Sequence, residues 1–458
     1  MQERKNIMKK KRMISLLLTT TLLATMVLGT VGCGSKETAK NEDEKITLTV
    51  TISEKEFGDT EIFDRYMAEH PNIIINEVPV ANNDSKLISM ISSGNNAPDL
   101  IRVQGFDELS VFVERGLLLP LDDYVNKSEN INQDDLYDVV DLFRYDGESR
   151  GKGSLYGLPK DWSPIGIWCN VAAFQECGIE LPSSTEQMTW AEFADIAKKL
   201  TKWEGTAIER HGVVTALTMP SLLEMHLNTY NLSLWDEKYT ETTLSDEKVR
   251  ASLEYWKDLQ EAGALASSLY PAADTVGQGA LKEGDVGMVL GGYWFRGAFS
   301  MYNELDNLTS NLKFVPMPSD TKDCSYAMDV TGLGIFSGTE HPEEAYELWE
   351  YLMCHDEVVS SRAKIGFGIP SFKSFYEELP SESEFDKQLL ETVDYQIQTL
   401  DITPRTNPYI SYSSLIALFD KYYVPVLFEK NTLDDALKTI NKEAALLSQE
   451  GKELLGVK

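Results

Sequence analysis

GSLYGLPKDWSPIGIWCN, residues Gly153 to Asn170, reads as a turn, a short apolar piece, a proline-broken polar segment and a second apolar piece. Pro159 and Pro164 each fix φ and remove a backbone donor, so no helix runs through the stretch. The reading places Asp161, Trp162 and Ser163 in irregular backbone between two strand-like pieces. An acid, a large aromatic and a hydroxyl there suit a polar ligand with a flat apolar face. The competing reading is a loop whose tryptophan covers core.

Upstream, Lys45–Ile52 alternates and is β-branched, which predicts a strand. Phe57 to His70 has helical spacing and stops at Pro71. Further strands are expected at Ile73 to Val80 and Ala97 to Val103, and short helices at Lys86 to Ser92 and Asp107 to Arg115. Strand, helix, strand, helix, strand is the order of a parallel α/β sheet. Ligands bind beyond the carboxyl ends of such strands, here Ser53-Glu54 and Gln104 to Asp107. Asp107 reads equally well as a helix N-cap, and Asp99 reads as structural.

Downstream, Thr189 and Glu192 form a capping box for a helix to Lys202. A second amphipathic helix covers Asp246 to Ala262. Gly284 to Trp294 reads as a tight turn, a buried strand and a Gly-Gly exit that delivers Trp294. Short strands follow at Phe314 to Pro318 and Thr331 to Phe336. A helix opens at His341 with Pro342 in its first turn, and Ser413 to Leu447 has helical spacing. Trp190 and Trp349 sit on helix faces and read as core.

The first 32 residues read as an address. Six basic residues precede an uncharged apolar run from Met13 to Val31, which describes a secretory signal; a membrane-spanning helix is the alternative. Gly32-Cys33-Gly34-Ser35 follows, then a polar run to Glu44. The formal charge of the full chain is −31, and removal of residues 1–32 takes it to −36. So acidic a chain argues against nucleic acid as a partner. With 42% hydrophobic and 10% aromatic residues the chain has enough apolar surface for real cores, and disorder is excluded. Cys169, Cys177, Cys324 and Cys354 lack metal-ligand spacing and do not form a disulfide framework; buried free thiols and one or two disulfides both stay open.

Cys33 after Gly32 resembles the bacterial lipoprotein signal, in which this cysteine becomes the lipidated N-terminus. The later pieces, in order, carry a second resemblance: Ala97-Pro98-Asp99, Gly116 to Tyr124, Tyr156 to Pro159, Cys177 to Ile179, Thr189-Trp190, Gly284 to Trp294, Phe314 to Pro318, the His341 helix and Gly368 to Ser371. Together they resemble the extracellular solute-binding proteins of ABC importers, in the carbohydrate-binding, maltose-binding-protein-like group. Cys169 stands where that group usually has tyrosine.

The resemblance implies a two-lobed α/β Venus-flytrap fold, each lobe a mainly parallel sheet flanked by helices. It implies crossings near Trp162, Pro318 and Phe372. Lobe one would hold 46–162 and 319–372, and lobe two 163–318 and 373–458, after a signal at 1–32 and a tether at 33–45. Matched positions give a candidate cleft of Glu54, Gln104, Asp107, Asp161, Trp162, Trp294 and Arg296, with Tyr409 or Tyr412 as a late aromatic. The implied function is a monomeric, lipid-anchored receptor that hands a carbohydrate to membrane permease subunits, with no cofactor, metal or catalytic residue. Sensor presentation and polyamine or peptide ligands remain open.

The rival class is a surface-anchored glycoside hydrolase, which needs two carboxylates about one bond. With 73 acids a pair can be drawn anywhere. The metalloprotease, nucleophile-elbow, phosphate-loop, dinucleotide and CxxC motifs are missing, and the five histidines are scattered.

Overall fold

Leu158 to Asn170 forms one strand of 13 residues, every one of them buried. This corrects the expected proline break and the irregular backbone at Asp161 to Ser163. Proline is tolerated within a sheet where the ladder is already interrupted. Here two register shifts supply the interruptions: one between Ala327 and Asp329 of the partner strand, beside Pro164, and one at Lys160 of this strand, opposite Thr331 and Gly332 and beside Pro159. A Cβ at Gly332 would fall 1.9 Å from the Leu158 carbonyl oxygen, so the close approach at the second bulge requires glycine.

The computed structural model describes residues 45–80, 84–93, 97–105, 108–148, 150–300, 308–321, 325–401 and 406–456. Its strands are β1 (Ile46–Val50), β2 (Ile73–Glu77), β3 (Leu100–Gln104), β4 (Arg144–Tyr145), β5 (Ser154–Leu155), β6 (Leu158–Asn170) and β7 (Lys202–Glu204). After them come β8 (Ala207–Thr215), β9 (Val286–Gly292), β10 (Leu312–Pro316), β11 (Ser325–Ile335), β12 (Ile369–Pro370) and β13 (Leu400–Asp401). The main sheet path runs β2-β1-β3-β11-β6-β9-β8-β7. β1 pairs in parallel with β2 and β3, and β8 with β9. The strands at the centre of the path, β6 and β11, run antiparallel to their neighbours.

β6 changes partners along its length. Leu158 to Pro164 pairs with β11, and Asp161 and Trp162 also with β12. Ile165 to Asn170 pairs with β9 on one side and β10 on the other. The alternation of a strand then divides its side chains between cores. Ile165, Ile167 and Cys169 join Phe174, Trp190 and Trp256. Trp162 and Trp168 join Leu48, Val50, Leu333 and Trp349. Trp168 is held by Phe314, Phe299 and Phe295 at ring distances of 4.8, 5.5 and 5.9 Å. A third core, of helices, contains Leu253, Leu418 and Ile440.

Local signals hold where they are strong. The Trp190–Leu200 helix has the capping box in full, with Thr189 and Glu192 bonding each other's backbone. Trp190 and Trp349 are buried, and Trp349 Nε1 donates to the Leu333 carbonyl at 2.8 Å. Asp99 is structural: one oxygen accepts from the Thr49 amide and the other from the Thr339 hydroxyl. Cys169 and Cys354 are buried free thiols, and burial pushes the Cys169 thiol up to about 12. Cys177 is free and exposed. Cys324, and Cys33 with the signal segment, lie outside the described residues. Among the described residues, no helix is long and apolar enough to cross a membrane, and no three His, Cys, Asp or Glu are placed to hold a metal.

Candidate ligand-binding site

The sheet register sets a row of polar residues at the carboxyl end of β3. Gln104 lies opposite Thr331 on β11, and Thr331 lies opposite Asp161 on β6. Residues directly opposite in a ladder face the same side. The Gln104 amide donates to Glu108 at 2.8 Å, and its side-chain oxygen accepts from Arg102 at 3.3 Å. Arg102 is itself bound to Glu56 at 2.9 Å.

Asp161 is buried beside Lys160, whose ammonium donates to it at 2.5 Å. Thr331 faces Asp161 and Gly332 faces Pro159, so Lys160 is the extra residue of the bulge, which turns its head onto its neighbour. The same ammonium lies 5.5 Å from the centre of the Phe367 ring. Gly368 closes the other side, and a Cβ there would fall 2.7 Å from the Asp161 Cβ. The buried Arg362 guanidinium feels the Asp161 charge, and burial lowers it to about 10.

Two residues beyond Asp161, the Ser163 hydroxyl accepts from the Trp294 amide at 3.1 Å. The Trp294 ring is half-buried, edge-on to Phe295 at 4.4 Å and 6.3 Å from Phe367. The Gly-Gly exit serves Phe295 as well, since a Cβ at Gly291 would meet that ring at 3.0 Å. Trp294 thus presents part of an aromatic face close to the Asp161 strand.

Glu54 is half-buried in the short turn after β1. Burial first, then the charges of Glu77, Asp64 and Asp59, push its carboxyl above the ordinary range.

A second region joins the β4–β5 hairpin to the segment after residue 405. Arg150 donates to the Thr406 hydroxyl at 3.0 Å and to the Leu142 carbonyl at 3.1 Å. Tyr409 is half-buried, 6.2 Å from the Tyr239 ring, with the Lys452 ammonium 5.0 Å from its centre. Burial and then the Glu114 charge push its phenol up. Beside it an open groove of about 470 Å³ is lined by Glu114, Tyr145, Asp146, Ser154 and Tyr156, within the size range of small-ligand sites.

Several expected residues stand elsewhere. Trp162 is fully buried, edge-on to Tyr137 at 5.4 Å, and its Nε1 has no partner among the described residues; its strand placement, not a loop, puts it in the core. Arg296 is committed: Nε donates to Asp386 at 2.9 Å and Nη1 to the Ile365 carbonyl at 2.9 Å, both side chains buried. Tyr412 bonds the Ser221 and Thr218 hydroxyls. The cavity it lines with Glu224 and Trp235 is only about 10 Å³, room for one water at most. Asp107 lies outside the described residues. The sequence reading passed over Lys160, Phe367, Glu114 and Arg150. The one available signal for Lys160 was a charge set between Pro159 and an acid in an apolar run.

No curated protein matches the chain. Solved structures do. An ABC substrate-binding protein from Listeria monocytogenes, in complex with cycloalternan, is similar with a TM-score of 0.72 at 19% identity, over 91% of this chain and 100% of that one. The GacH receptor of Streptomyces glaucescens, solved unliganded and with acarbose, gives 0.67 at 20% identity, over 89% and 99%. The sugar-binding protein MalE from Xanthomonas citri gives 0.67 at 16% identity, over 90% and 100%. The likeness shows the two-lobed fold of periplasmic binding proteins. The sequence pattern of the bacterial extracellular solute-binding proteins matches residues 61–390, and the chain belongs to that family.

Proposed function

We propose that the protein captures a carbohydrate outside the cell and delivers it to the permease of an ABC importer. The observation that carries this is the half-buried Trp294 ring beside the polar row of Gln104, Thr331 and Asp161. A sugar has apolar C–H faces and a rim of hydroxyls. An aromatic face meets the first, and carboxylate and amide acceptors meet the second through hydrogen bonds that are stronger when charged. The similar proteins solved with cycloalternan and with acarbose support a sugar as the ligand.

In this reading β6 passes from lobe one (46–162 and 319–372) to lobe two (163–318 and 373–458). The change of its partners between Pro164 and Ile165 supports that boundary. Glu54, Gln104 and Asp161 belong to one wall, Trp294 and Tyr409 to the other, and ligand draws the walls together by hinge motion. The Arg150 bond to Thr406 joins the two sides at the rim. No bond of the ligand is made or broken, and ATP hydrolysis belongs to other chains. A lipid on Cys33 would hold the receptor at the outer membrane face; a mass shift on the N-terminal peptide of the cell-derived protein tests this.

Thermal unfolding against a panel of mono- and oligosaccharides, spermidine and a peptide pool tests the function. A ligand at 100 times its dissociation constant stabilises by about 2.7 kcal/mol. A sugar should raise the melting temperature, Trp294→Ala should abolish the shift, and the sugar should be recovered unchanged. A sugar that is consumed would make the protein an enzyme and overturn the reading.

A further inference from the structure

We infer that the cavity between the helices Glu247–Glu261 and Tyr412–Tyr422 is a second binding site, for a small aromatic amine with a hydroxyl on its ring. The cavity shares no residue with the candidate carbohydrate site, and the inference does not rest on the carbohydrate reading.

The cavity is about 140 Å³. A cavity of that size holds one benzene-sized ring. Thr215 at the end of β8, Gln260 from the first helix, and Phe419 and Asp420 from the second line it, with Leu222 and Leu427 among the apolar wall. Part of its polar lining is already engaged. The Thr215 hydroxyl donates to the Leu290 carbonyl at 3.2 Å and accepts from the Leu217 amide at 3.0 Å, and the Ser267 hydroxyl accepts from the Leu269 amide at 3.2 Å.

Two groups are left over. Gln260 is 8% exposed, and its Oε1 accepts from the Tyr423 hydroxyl at 2.6 Å. That bond fixes the amide, whose two N–H donors then have no acceptor among the described residues. A buried donor is normally bonded. Asp420 stands at the mouth, open to solvent, with no hydrogen bond or ion pair among the described residues. Burial against the wall pushes its carboxyl up, and no cation acts on it. Asp420 and Tyr423 are three residues apart in helical backbone, so they share a face, with Cβ atoms about 5–6 Å apart. Gln260 is held at the far end of the Tyr423 ring. A donor inside and a carboxylate at the mouth are therefore set apart by roughly the length of that phenol side chain.

The occupant follows from the three parts. An aromatic ring fills the volume and covers Phe419 and the leucines, which removes apolar surface from water. A hydroxyl at its inner end accepts from the Gln260 amide. An ammonium at its outer end meets Asp420, a charge-assisted bond. Water alone would serve the two polar groups and leave the apolar wall wet.

The test is a ligand-observed NMR titration of the purified protein with tyramine, 2-phenylethylamine and 4-ethylphenol. The second lacks the hydroxyl and the third the ammonium. Tyramine should bind about threefold or more tightly than either, the value of one hydrogen bond or one exposed ion pair. Asp420→Asn should bring tyramine level with 4-ethylphenol, and Gln260→Leu should bring it level with 2-phenylethylamine. Absence of binding by all three, or equal affinity for all three, overturns the inference. A tyramine preference that survives Asp420→Asn overturns the role of Asp420. Should Gln260→Leu not fold, the comparison of tyramine with 2-phenylethylamine on the unaltered protein decides. Tyramine binding that Trp294→Ala abolishes would place the amine in the carbohydrate site and overturn the second site.

Discussion

Arg296–Asp386 and Lys160–Asp161 are both buried ion pairs, and they are built in opposite ways. In the first, Asp386 takes Arg296 on one oxygen and the Ser383 hydroxyl on the other, while Arg296 gives its remaining reach to Ser300 and the Ile365 carbonyl. Charge is balanced one to one, the pair ties the helix after Trp294 to the helix Glu384–Gln398, and the Ile365 bond ties it to the chain before Phe367. In the second, Asp161 Oδ2 takes Lys160, and the ammonium's one other contact among the described residues is the Phe367 ring. The first pair commits its hydrogen-bonding groups within the fold; the second leaves donors of the ammonium without an acceptor among the described residues. Sequence motif searches see neither, because what differs is the count of partners in space.

The largest expected effect breaks the balanced pair. Asp386→Ala leaves Arg296 buried without a counter-charge and should cost about 3–5 kcal/mol in denaturant unfolding. A loss below about 1 kcal/mol would mean that Arg296 escapes to water and that the pair is not structural.

Next comes a buried group that solves the same problem by discharging. His226 is enclosed by Trp190, Tyr255, Tyr230 and Trp256 at ring distances of 4.4 to 5.9 Å, and its Nδ1 has no partner among the described residues. Burial lowers its pKa to about 4. The unfolded chain, with an ordinary histidine near 6.5, takes up the proton first as pH falls. Stability is therefore full above about pH 6.5 and declines toward pH 4 by about 3 kcal/mol, at 1.36 kcal/mol per pH unit. His226→Leu should lose that much less than the unaltered protein across the window, and parallel pH profiles would refute the assignment.

The periodic signals made much of the architecture legible. The β1–β3 alternation with helices, the capping box at Thr189 and the buried faces of Trp190 and Trp349 depend on neighbours within a few residues. What escaped depends on distant ones. Pro159 and Pro164 argued for a break, and the register shifts that admit them arise in the pairing with β11, more than 160 residues later. Trp162 looked like a ligand contact because a loop would have exposed it; in a strand flanked by β11 and β12 it is core. Arg296 meets an acid 90 residues away. Lys160 was passed over because a lone charge suggests solvent, and only the fold shows it 3% exposed. The exit to Trp294 was legible because Gly291 and Gly292 mark the end of β9 locally, whereas Asp161, expected in irregular backbone, lies within β6.

The unbroken run of β6 past Pro164 carries a mechanical consequence. A door hinge concentrates rotation at one or two loop bonds, and a loose pivot allows many positions. A single strand that changes partners between Pro164 and Ile165 is closer to a torsion bar. Rotation of one set of partners against the other has to spread as a few degrees of added twist over several peptide units, and the ladder on both sides resists it elastically. In the proposed hinge motion such a coupling would limit travel and return energy on release.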